Sequence, residues 1–112
     1  MAKGNPFGNI SGLGNMMKQV QKMAEETQRM EQELAGERVE ASSGGGVVKA
    51  VCNGKGELLE ITIAPQAVDP EDVEMLEDLV VSAVREAFET SSRMRDERVK
   101  NLTGGLDIPG LF

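Results

Sequence analysis

The sequence predicts an α+β fold in the order α-β-β-β-α, with a small three-stranded antiparallel sheet between two long helices. Three observations predict it. A heptad-like apolar stripe runs from Leu13 to Leu34, two β-branched runs flank Asn53-Gly54-Lys55-Gly56, and a second helical stripe follows Asp69-Pro70. At 112 residues the chain fits one domain spanning 1–112, small enough that long helices need a second chain to cover them.

Residues 1–12, MAKGNPFGNISG, are rich in Gly and Asn and read as a flexible lead-in. The first helix starts near Leu13. Leu13, Val20, Thr27 and Leu34 repeat every seven residues, and Met16, Met23 and Met30 follow at the matching d positions, the pattern of a helix-packing seam. Leu13 to Leu34 is roughly 33 Å of helix at ~1.5 Å per residue, whereas strands of ~6 residues span about 20 Å. Part of this helix therefore overhangs its own sheet.

Gly36 ends the helix, and Glu37 to Ser42 alternates like a short edge strand. Gly44-Gly45-Gly46 reads as a flexible turn, since no Lys-Ser/Thr follows to make a phosphate loop. Val47–Cys52 and Leu58–Ile63 form a hairpin, because Asn53 and the glycines tolerate positive φ. Val48, Ala50 and Cys52 share one face, and Leu59, Ile61 and Ile63 are expected to share it across the turn as core. The other face, Val47, Lys49, Val51, Leu58, Glu60 and Thr62, is more apolar than a solvated face requires. β-Branched residues also simply suit strands, but the overhanging helix favours a subunit interface. The expected dimer contacts are thus Met16, Met23, Met30, Val47, Val51 and Leu58.

Asp69 is the expected N-cap of the second helix, with Pro70 at its first position and Glu71 and Asp72 favoured by the dipole. Val73, Leu76, Val80, Ala83, Val84 and Ala87 form its apolar stripe. Beyond Phe88 the stripe meets Ser91, Met94, Arg95 and Arg98, so the distal helix is expected to leave the core. Thr103-Gly104-Gly105 stops it, and residues 103–112 form a flexible apolar tail.

Composition excludes most chemistry. The chain has no His, Trp or Tyr, and its carboxylates lie beside Lys or Arg without metal-ligand spacing. An enzyme, a metal site, a cofactor and a small-molecule substrate are not expected. The lone cysteine, Cys52, sits on a strand as a buried thiol. Apolar runs are too short to span a membrane, and the Met-Ala-Lys start lacks an apolar signal core, which predicts a cytoplasmic protein.

The Gly-rich step into VVKAVCNGKGELLEITI, the helix DVEMLEDLVVSAVREA, the Met- and Gln-rich helix before the glycines and the Gly105–Gly110 tail together resemble the YbaB/EbfC family of bacterial nucleoid-associated proteins. The resemblance covers essentially the whole chain. It implies a cytoplasmic, nucleoid-located homodimer with a shared sheet body and projecting helical arms. Such a protein binds double-stranded DNA with little sequence preference, in nucleoid organisation or gene regulation.

A net charge of −7 opposes duplex binding at first sight. The charge is uneven, however. Residues 1–29 carry four basic and two acidic side chains, residues 30–83 three and twelve, and residues 84–112 five and five. Contact through the helix ends follows. Arg93, Arg95, Arg98 and Lys100 read alone as a solvated helix end beside Asp96 and Glu97; with the resemblance they become phosphate contacts. Lys18, Lys22 and Arg29 read alone as surface cations on one stripe with Glu25, Lys22 pairing with Glu26 and Arg29 with Glu25, and on the DNA reading they extend the same surface. The alternative is a protein-interaction adaptor docking through the acidic middle, the Met seam or the tail.

Overall fold

The structure, a computed structural model, describes residues 10–104. The chain adopts the expected order: α1 (Ile10–Gly36), β1 (Val39–Ser43), β2 (Val48–Cys52), β3 (Leu58–Ile63) and α2 (Val73–Leu102). The three strands pair antiparallel in the order β1-β2-β3. Residues 1–9 of the expected lead-in and 105–112 of the expected tail lie outside the described residues.

Helix α1 begins three residues before Leu13, passing through Gly12 and Gly14. An isolated glycine costs a helix only about 1 kcal/mol, too little to stop one this long. Helix α2 begins later than expected. Its cap is Asp72, whose carboxylate accepts the Met75 N–H at 3.2 Å. Asp69 instead shapes the preceding turn, accepting the Glu71 N–H on its side chain and the Asp72 N–H on its carbonyl, both at 2.9 Å. Several acidic residues in a row offer several caps, and the turn at Asp69-Pro70 takes the first.

Helix α2 lies across β1 and β2. The core between them is Val39, Val48, Ala50, Cys52, Ala83 and Ala87, surrounded by Ala41, Val47, Leu76, Leu79, Val80, Val84 and Met94. It runs past Phe88 to Met94, further than the stripe predicts. Gly44–Gly46 is not a flexible linker but a fixed 3₁₀ turn docked on α2. All three glycines have positive φ, Ser43 Oγ donates to the Leu79 carbonyl at 2.6 Å, and a Cβ on Gly44 would sit 2.8 Å from Val47 Cγ2 and 3.0 Å from Leu79 Cδ2.

Strand β3 departs from expectation. Ile61 and Ile63 stand opposite Ala50 and Val48, so they share the α2-facing side. Every residue of β3 is nevertheless exposed, because α2 stops short of it. A bulge separates the pairs Val51–Glu60 and Cys52–Leu58, so Leu58, not Leu59, faces Cys52. The opposite face is also not the apolar surface expected. Arg38 and Glu60 form an ion pair that reaches over β2, and Lys49 lies 3.8 Å from Glu40. Val51 is buried within the protomer and Val47 packs against its own core, leaving little of either for a partner.

Candidate functional site

The two helices meet at the β2–β3 turn, and Asn53 joins them. Its side-chain amide donates to the Ala35 carbonyl (3.3 Å) and to Glu57 Oε1 (2.7 Å), while Oδ1 accepts the N–H groups of Lys55 (2.9 Å) and Glu57 (3.0 Å). The Asn53 carbonyl accepts Ser91 Oγ from α2 at 2.7 Å. Asn53 is therefore 97% buried yet fully satisfied. Gly54 closes the contact with α1, donating its N–H to the Leu34 carbonyl at 2.8 Å, and a Cβ there would lie 2.6 Å from Leu34 Cδ2. Within this turn only Gly56 has positive φ, so Asn53 is used for its amide and not for a left-handed backbone.

Ion pairs extend this junction. Arg95 grips Glu31 with two guanidinium nitrogens at 2.6 and 3.3 Å, and Lys55 Nζ stands 4.0 Å from the same carboxylate. Arg98 donates to Glu37 at 2.6 Å and lies 3.9 Å from Glu33. The Glu37 hydrogen bond, aided by the charges of Glu37, Glu33 and Glu97 and opposed by desolvation, raises the Arg98 guanidinium above its usual range. Two of the arginines expected to face DNA, Arg95 and Arg98, are thus paired with carboxylates at the end of α1. Sequence reading missed this because Glu31, Glu33 and Glu37 are far away along the chain and become neighbours only when the helices pack.

The other expected DNA contacts remain outward. Lys18, Lys22, Arg29, Arg93 and Lys100 are exposed, and none has a carboxylate within ion-pair distance among the described residues. Arg93 donates to Thr90 Oγ1 on its own helix at 3.2 Å. The pairs Lys22–Glu26 and Glu25–Arg29 are not closed. Arg85, which sequence reading left out, is exposed and unpaired in the same way. Among the described residues the unpaired cations therefore lie on the two helices, while every cation of the sheet and its turns is paired.

Cys52 is buried as expected, donating to the Ala87 carbonyl at 3.3 Å. Desolvation pushes its thiol above the ordinary range, partly offset by Ser91. It has no nucleophilic role to play in the neutral form.

Helix α2 carries an uncovered apolar surface. Val80 and Val84 border the core, and the exposed Phe88 lies one turn beyond Val84 on the same side of the helix. They line a groove with Val81, Arg85, Glu89 and Ser92. Ile61 and Ile63, on the α2-facing side of β3, are exposed as well, so α2 and β3 each present an uncovered apolar surface. Of the expected dimer contacts, Met16 and Leu58 are exposed, Met23 is half-buried and Met30 is buried by its own protomer. No helix among the described residues is long and apolar enough to cross a membrane, and no group of His, Cys, Asp or Glu there could hold a metal ion.

Comparison with known proteins gives a consistent picture. The sequence model described as the YbaB/EbfC DNA-binding family matches residues 9–106. The chain is 50% identical over 112 residues to a nucleoid-associated protein of Thermoanaerobacter pseudethanolicus, covering 100% of both. It is 49% identical over the same span to one from Caldanaerobacter subterraneus, again covering 100% of both. Among solved structures it is similar to an uncharacterized protein of Helicobacter pylori, with a TM-score of 0.71 and 26% identity, covering 84% of this chain and 96% of that one.

Proposed function

The chain belongs to the YbaB/EbfC DNA-binding family, and on that premise we propose that it is a nucleoid-associated homodimer that grips the backbone of duplex DNA with its helices. The observation that carries this reading is the family match over residues 9–106. The distribution of cations fits it. Lys18, Lys22 and Arg29 on α1 and Arg93 and Lys100 on α2 are free to meet phosphates, whereas Arg95 and Arg98 act indirectly by fixing the angle between the helices.

Two copies join through these uncovered apolar surfaces, the Val80–Phe88 flank of each α2 lying over the β3 of the other. Burying Ile61, Ile63, Val81, Val84 and Phe88 in this way gives about 1.5–3 kcal/mol for each side chain fully covered. The charged outer sheet face with Arg38, Glu40, Lys49 and Glu60 stays in water. The protein works in the cytoplasm at the nucleoid, organising DNA or regulating its expression, with weak sequence preference because phosphate contacts carry none.

A titration against duplex DNA at several salt concentrations tests the reading. Affinity falls steeply as salt rises, because each phosphate neutralised releases counterions. No binding at low salt, or binding indifferent to salt, overturns it. Lys22→Glu with Lys100→Glu weakens binding at unchanged stability, whereas Arg95→Glu disturbs the fold by setting a second carboxylate beside Glu31.

A further inference from the structure

Helix α1 is covered along half of its apolar stripe and bare along the rest. Leu34 and Met30 are buried and Thr27 and Met23 half-buried, but Val20, Met17 and Met16 are 67%, 63% and 62% exposed and Leu13 is exposed too. These four side chains and Met23 form one continuous apolar strip on the helix. No described residue covers it.

The junction fixes what comes next along it. Asn53 bonds both Ala35 and Ser91, and one helical turn further along α2 and one turn back along α1, Arg95 pairs with Glu31. Arg98 pairs with Glu33 and Glu37 in the same region, so the distal part of α2 lies against the C-terminal half of α1. Beyond the junction, Val99 and Leu102 on α2 and Thr27 and Met23 on α1 are all half-buried, as packing of the distal α2 along α1 requires. Helix α2 ends at Leu102, short of the bare stripe, and residues 105–112 follow.

We infer that the C-terminal segment Gly105–Phe112 docks on the bare stripe of α1, continuing the cover that α2 begins. Its composition matches: Leu106, Ile108, Leu111 and Phe112 are apolar in a run of eight residues. Its reach is ample, since eight residues extend roughly 26 Å at ~3.3 Å each and the stripe from Leu13 to Val20 is about 10 Å long. Its charge also matches. Asp107 is the one charged side chain from Gly105 to Phe112, and the only charges between Leu13 and Lys22 are Lys18 and Lys22. Docking does not depend on DNA.

The chain has no tryptophan, so Phe112→Trp and, separately, Leu106→Trp each give one reporter. Both are expected to emit to the blue of free tryptophan amide and to resist quenching by acrylamide. Adding Met16→Gln and Val20→Gln returns the emission to that of tryptophan in water. As a second readout, Leu106→Ser with Leu111→Ser speeds amide hydrogen exchange several-fold at residues 13–20 and leaves residues 27–36 unchanged. Water-like emission from both reporters overturns the inference, as does a blue shift indifferent to Met16 and Val20. A shift that vanishes on dilution also overturns it, because the segment then docks on another molecule.

Discussion

Strands β1 and β3 both flank β2, yet they live in different surroundings. β1 has one large apolar residue, Val39, with Ala41 and two serines, and α2 covers it; β3 has Leu58, Leu59, Ile61 and Ile63 and is exposed throughout. Apolar content therefore does not decide which edge the helix protects. Position does. The Gly44–Gly46 turn and the Ser43–Leu79 bond hold α2 to the β1 side, which leaves the more apolar edge uncovered. β1 thus supports the protomer, and in the proposed homodimer β3 supports the assembly.

The sharpest way to break this division is to charge β3. Ile61→Glu with Ile63→Glu halves the solution mass measured by light scattering while the helical circular dichroism stays intact, because ionised carboxylates are not tolerated in an unpaired buried site. A mass that does not change removes β3 from the interface. The corresponding change on the other edge, Val39→Ala, lowers the unfolding free energy by about 2 kcal/mol. Urea denaturation reads this, and the loss is the same at high and low protein concentration.

Ser43→Ala leaves the Leu79 carbonyl without its partner and costs about 1 kcal/mol, seen as a lower denaturation midpoint. Alkaline pH acts on the β1 side through Cys52. Its thiol titrates higher folded than unfolded, so the stability it contributes is complete below the ordinary thiol range and falls as pH rises through the folded value. Cys52→Ala flattens that alkaline decline in thermal melts. The smallest effect belongs to the outer face of the sheet. Arg38→Ala changes stability by no more than about 0.5 kcal/mol, since both partners of the Glu60 pair are more than half exposed.

Local signals read well because they need only neighbours. The long helix of α1, the buried face Val48, Ala50 and Cys52 of β2 and the Thr103-Gly104 stop of α2 all sit where the sequence places them. Leu59 shows the limit: alternation assigns it to the core, and one bulged residue moves Leu58 into its place. Asp69 and Asp72 were equally good caps by residue type, and turn geometry chose between them. Arg95 and Arg98 are legible as a basic cluster but not as ties to Glu31, Glu33 and Glu37, which requires knowing how two helices distant in sequence cross. The same holds for Asn53, whose role in the hairpin is plain and whose grip on both helices is not.

That grip has a consequence for synthesis. The chain leaves the ribosome from its N-terminus, so α1 emerges complete before Asn53 and Gly54 exist to seat Leu34, and well before Ser91 and Arg95 arrive. For most of translation its methionine-rich side has nothing to rest on. A nascent chain stalled near residue 60 therefore displays a sticky amphipathic helix, a natural substrate for chaperones, and only the last third of the message supplies what lets it settle.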